Sequence, residues 1–232
     1  MMTLRKSQER GYFEIDWLKS HHTFSFGEYY DPKHMHFRSL RVINHDVIAA
    51  GKGFALHPHR DMEIITYVVR GAVAHKDSMG NQEQVVAGEV QVMTAGDGVR
   101  HSEFNPNQDQ DLELLQIWIL PGKAALTPAY SQRAFSRDDK LNRLCLIVSG
   151  EGKNRELKIN QNVNLYASIL EAGKVVQHEV RAGRHAWIQI VRGDVEVSGE
   201  KLTSGDGLSV DEARVLTFKA SKEVEFLLFD LN

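Results

Sequence analysis

Cysteine and long hydrophobic runs are scarce in this chain of 232 residues. The single cysteine, Cys145, rules out an intramolecular disulfide, and its apolar neighbours, LCLIV, favour a small buried side chain over a reactive thiol. No hydrophobic stretch is long enough to span a bilayer, and residues 1–17 lack the apolar core of a secretory signal. We therefore expect a cytoplasmic protein that does not enter the membrane.

An excess of basic residues is also missing. Lys and Arg total 28 against 31 Asp and Glu, and the formal net charge is -3. A protein that binds a phosphate backbone needs a clustered positive surface, and no basic block or stripe occurs in this sequence. The composition therefore argues against direct binding of nucleic acid, and it marks no surface for a protein partner.

What the chain does contain is a series of short segments rich in Val, Ile, Tyr and Phe, bounded by Gly, Asp, Asn and Pro. This pattern is typical of an all-β protein. The turn formers of HKDSMGNQ, residues 75–82, predict a hairpin tip between two such strands. A helical period fits only short pieces such as residues 124–135, and Pro128 limits that one.

Two pairs of residues with metal-ligating side chains, His57 with His59 and His101 with Glu103, are the most informative feature. Residues two apart on a β-strand point to the same face, so two neighbouring strands could aim four ligands at one point. Three imidazoles and one carboxylate suit a divalent Fe, Mn, Ni, Co or Cu ion. The lack of thiolate argues against a closed structural zinc site, and zinc suits oxidative chemistry less well.

The second half of the chain repeats the first in outline, since WIQIVRGDVEV matches EIITYVVRGAVAH and LTSGDGLSV matches VVAGEVQVM. A duplicated β-unit is the simplest explanation. Aligning VRG at 191–193 with VRG at 69–71 places Glu179 and Arg181 at the positions of His57 and His59. A separate alignment of Gly205 with Gly88 places Phe218 and Ala220 at the positions of His101 and Glu103. We therefore expect a metal-binding domain over residues 1–135 and a metal-free domain over 136–232, with a polar linker near 131–142.

Two segments resemble the paired cupin motifs: GKGFALHPHRDMEIITYVVRG at 51–71 and GEVQVMTAGDGVRHSEFN at 88–105. More narrowly, they resemble the pirin family when taken with HHTFSFGEYYDP, LRVINHD, HKDSMGN and LQIWILP, which occur in the family's order. This resemblance covers most of the first 121 residues. Beyond about residue 140 the chain resembles the family's degenerate second cupin only loosely.

The pirin resemblance implies a bicupin, in which two double-stranded β-helix barrels lie in tandem and the N-terminal barrel holds one metal ion. It carries the ligand role to His57, His59, His101 and Glu103. We further expect Glu103, on or near the metal, to accept the substrate's proton in catalysis. The bacterial members that this sequence resembles are linked to quercetin 2,3-dioxygenase activity, which opens a flavonol's central ring and releases carbon monoxide. A flavonol and dioxygen are therefore the expected substrates.

Two other functions stay open. Eukaryotic pirins are associated with transcription cofactors, so the chain could be a non-enzymatic, redox-sensitive metal-binding module that acts on a protein partner. A cupin isomerase or hydrolase with the same ligands is the third alternative, and it would consume its substrate without dioxygen.

Glu63 competes with Glu103 for the place of fourth ligand. In many cupins the glutamate of the first motif, here Glu63, joins the metal, whereas pirins are similar in using the one at 103. Spacing favours Glu103, which shares a strand face with His101; Glu63 would share the face of His59 only if the strand stayed regular across residues 60–62. We therefore predict that Glu103 is the fourth metal ligand.

Other histidines and aromatic residues are expected to have structural roles. Four histidines are expected in loop or rim positions, away from any metal: His21, His22, His34 and His36. Four aromatic residues are expected to pack the N-terminal region: Phe24, Phe26, Tyr29 and Tyr30. Trp118 and Gln116 could line the barrel, with core packing the expected role of Trp118.

Overall fold

The computed structural model describes all residues 1–232, and almost every regular element in it is a strand, which confirms the all-β prediction. The strands of the first half are β1 (Met2–Arg5), β2 (Gly11–Ile15), β3 (Leu18–His22), β4 (Leu40–Ile48), β5 (Gly53–His59), β6 (Glu63–Arg70), β7 (Ala72–Asp77), β8 (Gln82–Val86), β9 (Glu89–Thr94), β10 (Val99–Phe104), β11 (Leu112–Ile119) and β12 (Ala129–Ala134). Those of the second half are β13 (Cys145–Ser149), β14 (Leu157–Lys158), β15 (Val163–Leu170), β16 (Val175–Val180), β17 (His185–Arg192), β18 (Val195–Val197), β19 (Glu200–Leu202), β20 (Gly207–Val210), β21 (Arg214–Ala220) and β22 (Val224–Leu231). The helices are a 3₁₀ turn at Ser7–Glu9 and α1 (Arg137–Lys140), and neither has the length or hydrophobicity to cross a bilayer.

Contacts group the chain into two compact units. The first unit comprises residues 11–134 and 157–161, and the second comprises 1–10, 135–156 and 162–232. The expected division between residues 135 and 136 therefore lies one residue from the boundary in the contact grouping, and two segments, 1–10 and 157–161, belong to the other unit than expected.

Both segments are placed by backbone hydrogen bonding. Strand β1 pairs antiparallel with β20, so the first ten residues cover the outer edge of a sheet of the second unit. The segment 157–161 joins the first unit because the Gly122 amide donates to the Asn160 carbonyl over 2.7 Å. In addition, Gln161 Nε2 donates to the Leu120 carbonyl over 2.8 Å.

The first unit contains two antiparallel sheets with strand orders β12-β9-β6-β11-β4-β3-β2 and β5-β10-β7-β8. The hairpin tip predicted within HKDSMGNQ is confirmed, because β7 and β8 pair and residues 78–81 connect them. Along β6, the side chains of Ile64, Thr66 and Val68 share one face, and the two apolar members belong to separate buried clusters. The interior therefore has two apolar layers with a polar layer, at the level of Thr66, between them.

The second unit repeats this topology in its central strands: β20, β17, β22 and β15 correspond to β9, β6, β11 and β4, and every strand of the smaller sheet has its number raised by eleven. Within this unit the strand orders are β1-β20-β17-β22-β15-β13 and β16-β21-β18-β19. Phe218, which aligns with His101, is fully buried and stacks on Phe226 with ring centroids 4.6 Å apart. Glu179 and Arg181, which align with the histidine pair, are exposed and lie 3.7 Å apart as an ion pair. The positions that align with the predicted ligands thus hold packing and surface residues.

The region around residues 124–142 differs from the sequence-based expectation. Residues 129–134 form β12, which pairs with β9 in register from Ala129 opposite Thr94 to Ala134 opposite Glu89. The helical interpretation of this segment is therefore wrong, and the predicted linker 131–142 begins inside a strand. The reason is that β12 pairs with the open edge of β9. The hydrogen bonds of this pairing outweigh the weak helical period of the local sequence.

Asp46 on β4 provides a prediction about stability. Its carboxyl is 5% exposed and accepts a hydrogen bond from Ser20 Oγ. Burial raises the pKa of Asp46 to about 6. Because this pKa lies above the unfolded value of about 3.9, the carboxyl favours folding most below pH 4, and the benefit is lost as pH rises through 6; the difference corresponds to roughly 3 kcal/mol.

We therefore expect Asp46→Asn, a neutral isostere, to be more stable than the parent at pH 8 by up to about 3 kcal/mol. The gain should shrink toward pH 4, where the parent carboxyl is protonated as well. Urea unfolding of the metal-free proteins at both pH values measures this difference. A gain in stability that does not depend on pH would contradict the raised pKa of Asp46.

Candidate metal centre

The predicted ligands lie on two paired strands. In the register of β5 with β10, His101 stands directly opposite His57. The ring centroids of these two residues are 4.4 Å apart, and His59 lies 4.9 Å from each of them. One ligand atom from each of the three histidines lies within 4.8 Å of the other two. The structure thus brings together the three imidazoles that the i, i+2 spacing predicts on one face.

A bulge in this strand pair sets the position of Glu103. The register shifts between His101 and Glu103, so that Glu103 pairs with Phe54. The strands approach closely here, and a Cβ on Gly53 would lie 2.2 Å from the Glu103 carbonyl oxygen. Glycine at 53 therefore permits the bulge, which turns the Glu103 side chain relative to the histidine row.

Glu103 lies inside the barrel and is held by polar side chains of the facing sheet. Gln116 Nε2 donates to its Oε2 over 2.8 Å, and Thr66 Oγ1 donates to its Oε1 over 3.4 Å. Its carboxylate forms a group with His75 and His101, whose ligand atoms lie within 4.8 Å of one another. Burial raises the pKa of Glu103, although the nearby histidines oppose this rise.

Glu63, the alternative ligand, is occupied elsewhere. It is fully buried, accepts from Thr94 Oγ1 over 2.9 Å and accepts from Asn160 Nδ2 over 3.1 Å. It does not belong to either convergent group of ligand atoms. Its carboxylate thus has two hydrogen-bond partners within the first unit, one of them from the 157–161 segment.

The three histidines fit a first-row transition metal ion. His101 Nε2 is buried and has no hydrogen-bond partner, which is costly for a polar atom unless a ligand pairs with it. His57 donates from Nδ1 to the Ala55 carbonyl over 2.8 Å, which leaves Nε2 as its ligand atom. Burial and the neighbouring imidazoles lower the pKa of His59 to about 4 and that of His101 to about 3. Both rings are therefore neutral near pH 7, the form that binds metal.

A polar row crosses the large sheet at the level of Glu103. The residues are in register on neighbouring strands, and the two central ones, Gln116 and Thr66, hold the carboxylate. The row runs across β3, β4, β11, β6 and β9 through His22, Asn44, Gln116, Thr66 and Gln91. Gln116 thus lines the barrel, the role considered for it from sequence.

Aromatic side chains adjoin the histidines on one side. Trp118 packs edge-on against His59 with ring centroids 5.0 Å apart, and Phe26 packs edge-on against Trp118 at 5.3 Å. Trp118 also packs on the buried cluster that includes Ile64, as core packing requires. The expectation that Phe26 serves only N-terminal packing misses its contact with Trp118, which no local pattern reveals.

The remaining histidines divide into two groups. His34 and His36 lie in the loop between β3 and β4, as predicted, and His36 Nδ1 donates to the Arg38 carbonyl. His21 and His22 lie instead on β3, so the loop prediction is wrong for them. His22 is buried and donates from Nδ1 to the Phe26 carbonyl over 3.3 Å, because β3 pairs with β4 and turns this side chain inward.

Sequence reasoning missed His75 and Asp77. Both lie on β7, where His75 stands opposite Glu103 and Asp77 opposite His101. His75 Nε2 lies 3.1 Å from Asp77 Oδ2, and its Nδ1 lies 3.4 Å from His101 Nδ1. The same i, i+2 rule that marked the other pairs applies to HKD at 75–77, so a search for that spacing would have found them.

Comparison with known proteins agrees with this architecture. The Pirin family model matches residues 3–119, and the model of the quercetinase C-terminal cupin domain matches 146–231. The quercetin 2,3-dioxygenase of Escherichia coli K12 is 48% identical over 231 residues, covering 100% of this chain and 99% of that protein. A pirin-like protein of Caulobacter vibrioides is 38% identical over 215 residues, covering 92% of each chain.

Solved structures give the same result. The crystal structure of YhhW from E. coli superposes with a TM-score of 0.96 at 47% identity, covering 100% of this chain and 98% of that one. The nickel(II) complex of the same bacterial pirin superposes at 0.95, with 47% identity and coverage of 100% and 99%. The predicted bicupin fold is confirmed. The chain belongs to the pirin family.

Proposed function

We propose that this protein is a metal-dependent dioxygenase that cleaves flavonols such as quercetin and releases carbon monoxide. The convergence of the three imidazoles of His57, His59 and His101 carries this proposal, because it supplies a nitrogen-rich metal site in the barrel of a pirin. The full-length similarity to a quercetin 2,3-dioxygenase at 48% identity supports the same activity.

The three histidines would hold a divalent transition metal ion, with Glu103 as the fourth ligand. When bound, such an ion supplies Lewis acidity toward the flavonol 3-hydroxyl and a redox-active centre for the reaction with dioxygen. Nitrogen and oxygen ligands accept Fe, Mn, Ni, Co or Cu. The nickel(II) complex of the E. coli pirin supports a divalent ion of this kind.

The protein groups bind and orient the substrate and accept its proton. Three neutral imidazoles and one carboxylate around a divalent ion leave a net charge near plus one, which favours an anionic, oxygen-rich ligand. Glu103, whose carboxylate lies beside His101, accepts the proton of the 3-hydroxyl. Gln116 and Thr66 hold that carboxylate in place.

The aromatic side chains beside His59 suit a flavonol. Trp118 and Phe26 present an aromatic surface next to the imidazoles, and flat aromatic rings pack favourably on such surfaces. Trp118 Nε1 is buried without a hydrogen-bond partner, so it has a donor to offer an oxygen-rich ligand. These two residues are the proposed substrate wall.

The test is turnover by protein loaded separately with each of the five metals. Quercetin should disappear in the presence of dioxygen and carbon monoxide should form, with His57→Ala inactive because one ligand is lost. Turnover that continues without dioxygen would point to an isomerase or hydrolase. No turnover with any metal would reject the enzyme and favour a non-enzymatic metal-binding module.

A further inference from the structure

The buried pair His75 and Asp77 adjoins the proposed metal ligands but is not itself used by the mechanism. We propose that Asp77 and His75 form a hydrogen-bonded relay that fixes the tautomer of His101, so that His101 Nε2 is kept free of a proton and ready to bind metal. His75 and Asp77 are thus positioning residues. This proposal rests on the proposed role of His101 as a ligand.

The order of donors follows from the atoms in contact. The Asp77 carboxylate can only accept, so His75 must donate to Asp77 Oδ2 from Nε2, over 3.1 Å. A neutral imidazole carries one N–H, and His75 Nδ1 is then an acceptor. It faces His101 Nδ1 at 3.4 Å, so His101 must carry its proton on Nδ1 and donate. The proton-free atom of His101 is therefore Nε2, the buried atom without a partner.

The relay is anchored at its carboxylate end. Asp77 Oδ1 accepts from the amides of Met79 and Asn81, over 2.9 and 3.0 Å, and Oδ2 accepts from Asn81 Nδ2 over 2.8 Å. These bonds tie the carboxylate to the β7–β8 turn. The carboxylate at the start of the relay is therefore held in one orientation toward His75.

The other end of the relay is held by packing. The His75 ring stacks on Tyr130 with centroids 4.8 Å apart and an interplanar angle of 29°. Tyr130 donates its hydroxyl to Gln132 Oε1 over 2.6 Å, and it lies on β12. Both rings are thus fixed in orientation. A ligand histidine whose second nitrogen is held in this way usually binds metal ten- to a hundredfold more tightly than one that is not.

Asp77→Asn reverses the relay with little change in shape. The amide oxygen can keep the two backbone donors, and the amide nitrogen then faces His75 Nε2, which must become an acceptor. His75 would carry its proton on Nδ1, and His101 would be protonated on Nε2, the atom meant for the metal. We expect long-range ¹H–¹⁵N spectra of the metal-free proteins to show Nδ1–H for His101 in the parent and Nε2–H in Asp77→Asn.

Metal titration tests the same relay without enzyme activity. Ni(II) affinity should fall about ten- to a hundredfold in Asp77→Asn and in His75→Leu, which has no acceptor. His75→Asn should recover most of the affinity, because its amide oxygen can accept from His101 Nδ1. Asn81→Ala is the matched control: it removes a bond to Asp77 and loosens the turn but leaves the carboxylate, so affinity should stay near the parent value.

Three results would overturn the relay: a parent protein with His101 protonated on Nε2, parent-like affinity in both Asp77→Asn and His75→Leu, or an Asn81→Ala loss as large as theirs. A parent that binds no metal would instead reject the proposed function. The spectra of the metal-free protein would still decide the relay in that case.

Discussion

Replacing His101 by Ala is expected to abolish metal binding and flavonol turnover while leaving a folded protein. His101 is fully buried, lies between His57 and His75, and is the only histidine that belongs to both convergent groups of ligand atoms. Loss of a residue that merely supports a ligand already costs ten- to a hundredfold in metal affinity, so loss of this ligand should cost more than a hundredfold.

The fold should tolerate this change. In the metal-free protein, His101 Nε2 is a buried polar atom without a partner, an arrangement that costs about 1–3 kcal/mol. Removing this atom therefore offsets part of the free-energy cost of the cavity that the ring leaves behind. Elemental analysis measures metal binding, a quercetin assay measures turnover, and urea unfolding of the metal-free protein measures the stability of the fold.

His45→Ala is the control for this experiment. His45 lies on β4, is partly buried and pairs with Glu113 Oε1 over 2.9 Å, and it belongs to neither group of ligand atoms. We expect metal content and turnover close to those of the parent. A His101→Ala protein that keeps its metal, or a His45→Ala protein that loses it, would show that the ion binds elsewhere.

The histidine cluster could be predicted because it depends on local geometry alone. A strand turns residues two apart to one face, and this holds for His57 and His59 whatever the rest of the fold does. The repeat could be predicted for a similar reason, since duplicated strands keep their sequence periods. In both cases a short-range rule was enough.

Apart from His75 and Asp77, which the i, i+2 rule could have identified, the features that were missed depend on long-range register. The partner of Glu103 is set by a bulge between β5 and β10, and the spacing of His101 and Glu103 is the same with or without it. Asn160 reaches Glu63 from a segment almost a hundred residues away in sequence. β1 covers β20 in the second unit as β12 covers β9 in the first, which no local pattern shows.

Glu103→Gln is expected to reduce flavonol turnover by about a hundredfold or more, the usual contribution of a positioned general base. The amide has nearly the same shape, so it can keep its bond from Gln116 and its packing, while the charge and the proton acceptor are lost. Because Glu103 is also the proposed fourth ligand, metal content should fall too. Steady-state kinetics at saturating metal separate the two effects.

Glu63→Gln is the matched control, because it makes the same chemical change in a glutamate that is equally buried in the same unit. Its carboxylate is held by Thr94 and Asn160 and lies outside both groups of ligand atoms, so metal content and turnover should stay near the parent values. Burial raises the pKa of Glu63, and a neutral amide should therefore not lower stability at neutral pH. If Glu63→Gln loses the metal and Glu103→Gln keeps it, the fourth ligand is Glu63, as in many cupins, and the assignment of Glu103 is wrong.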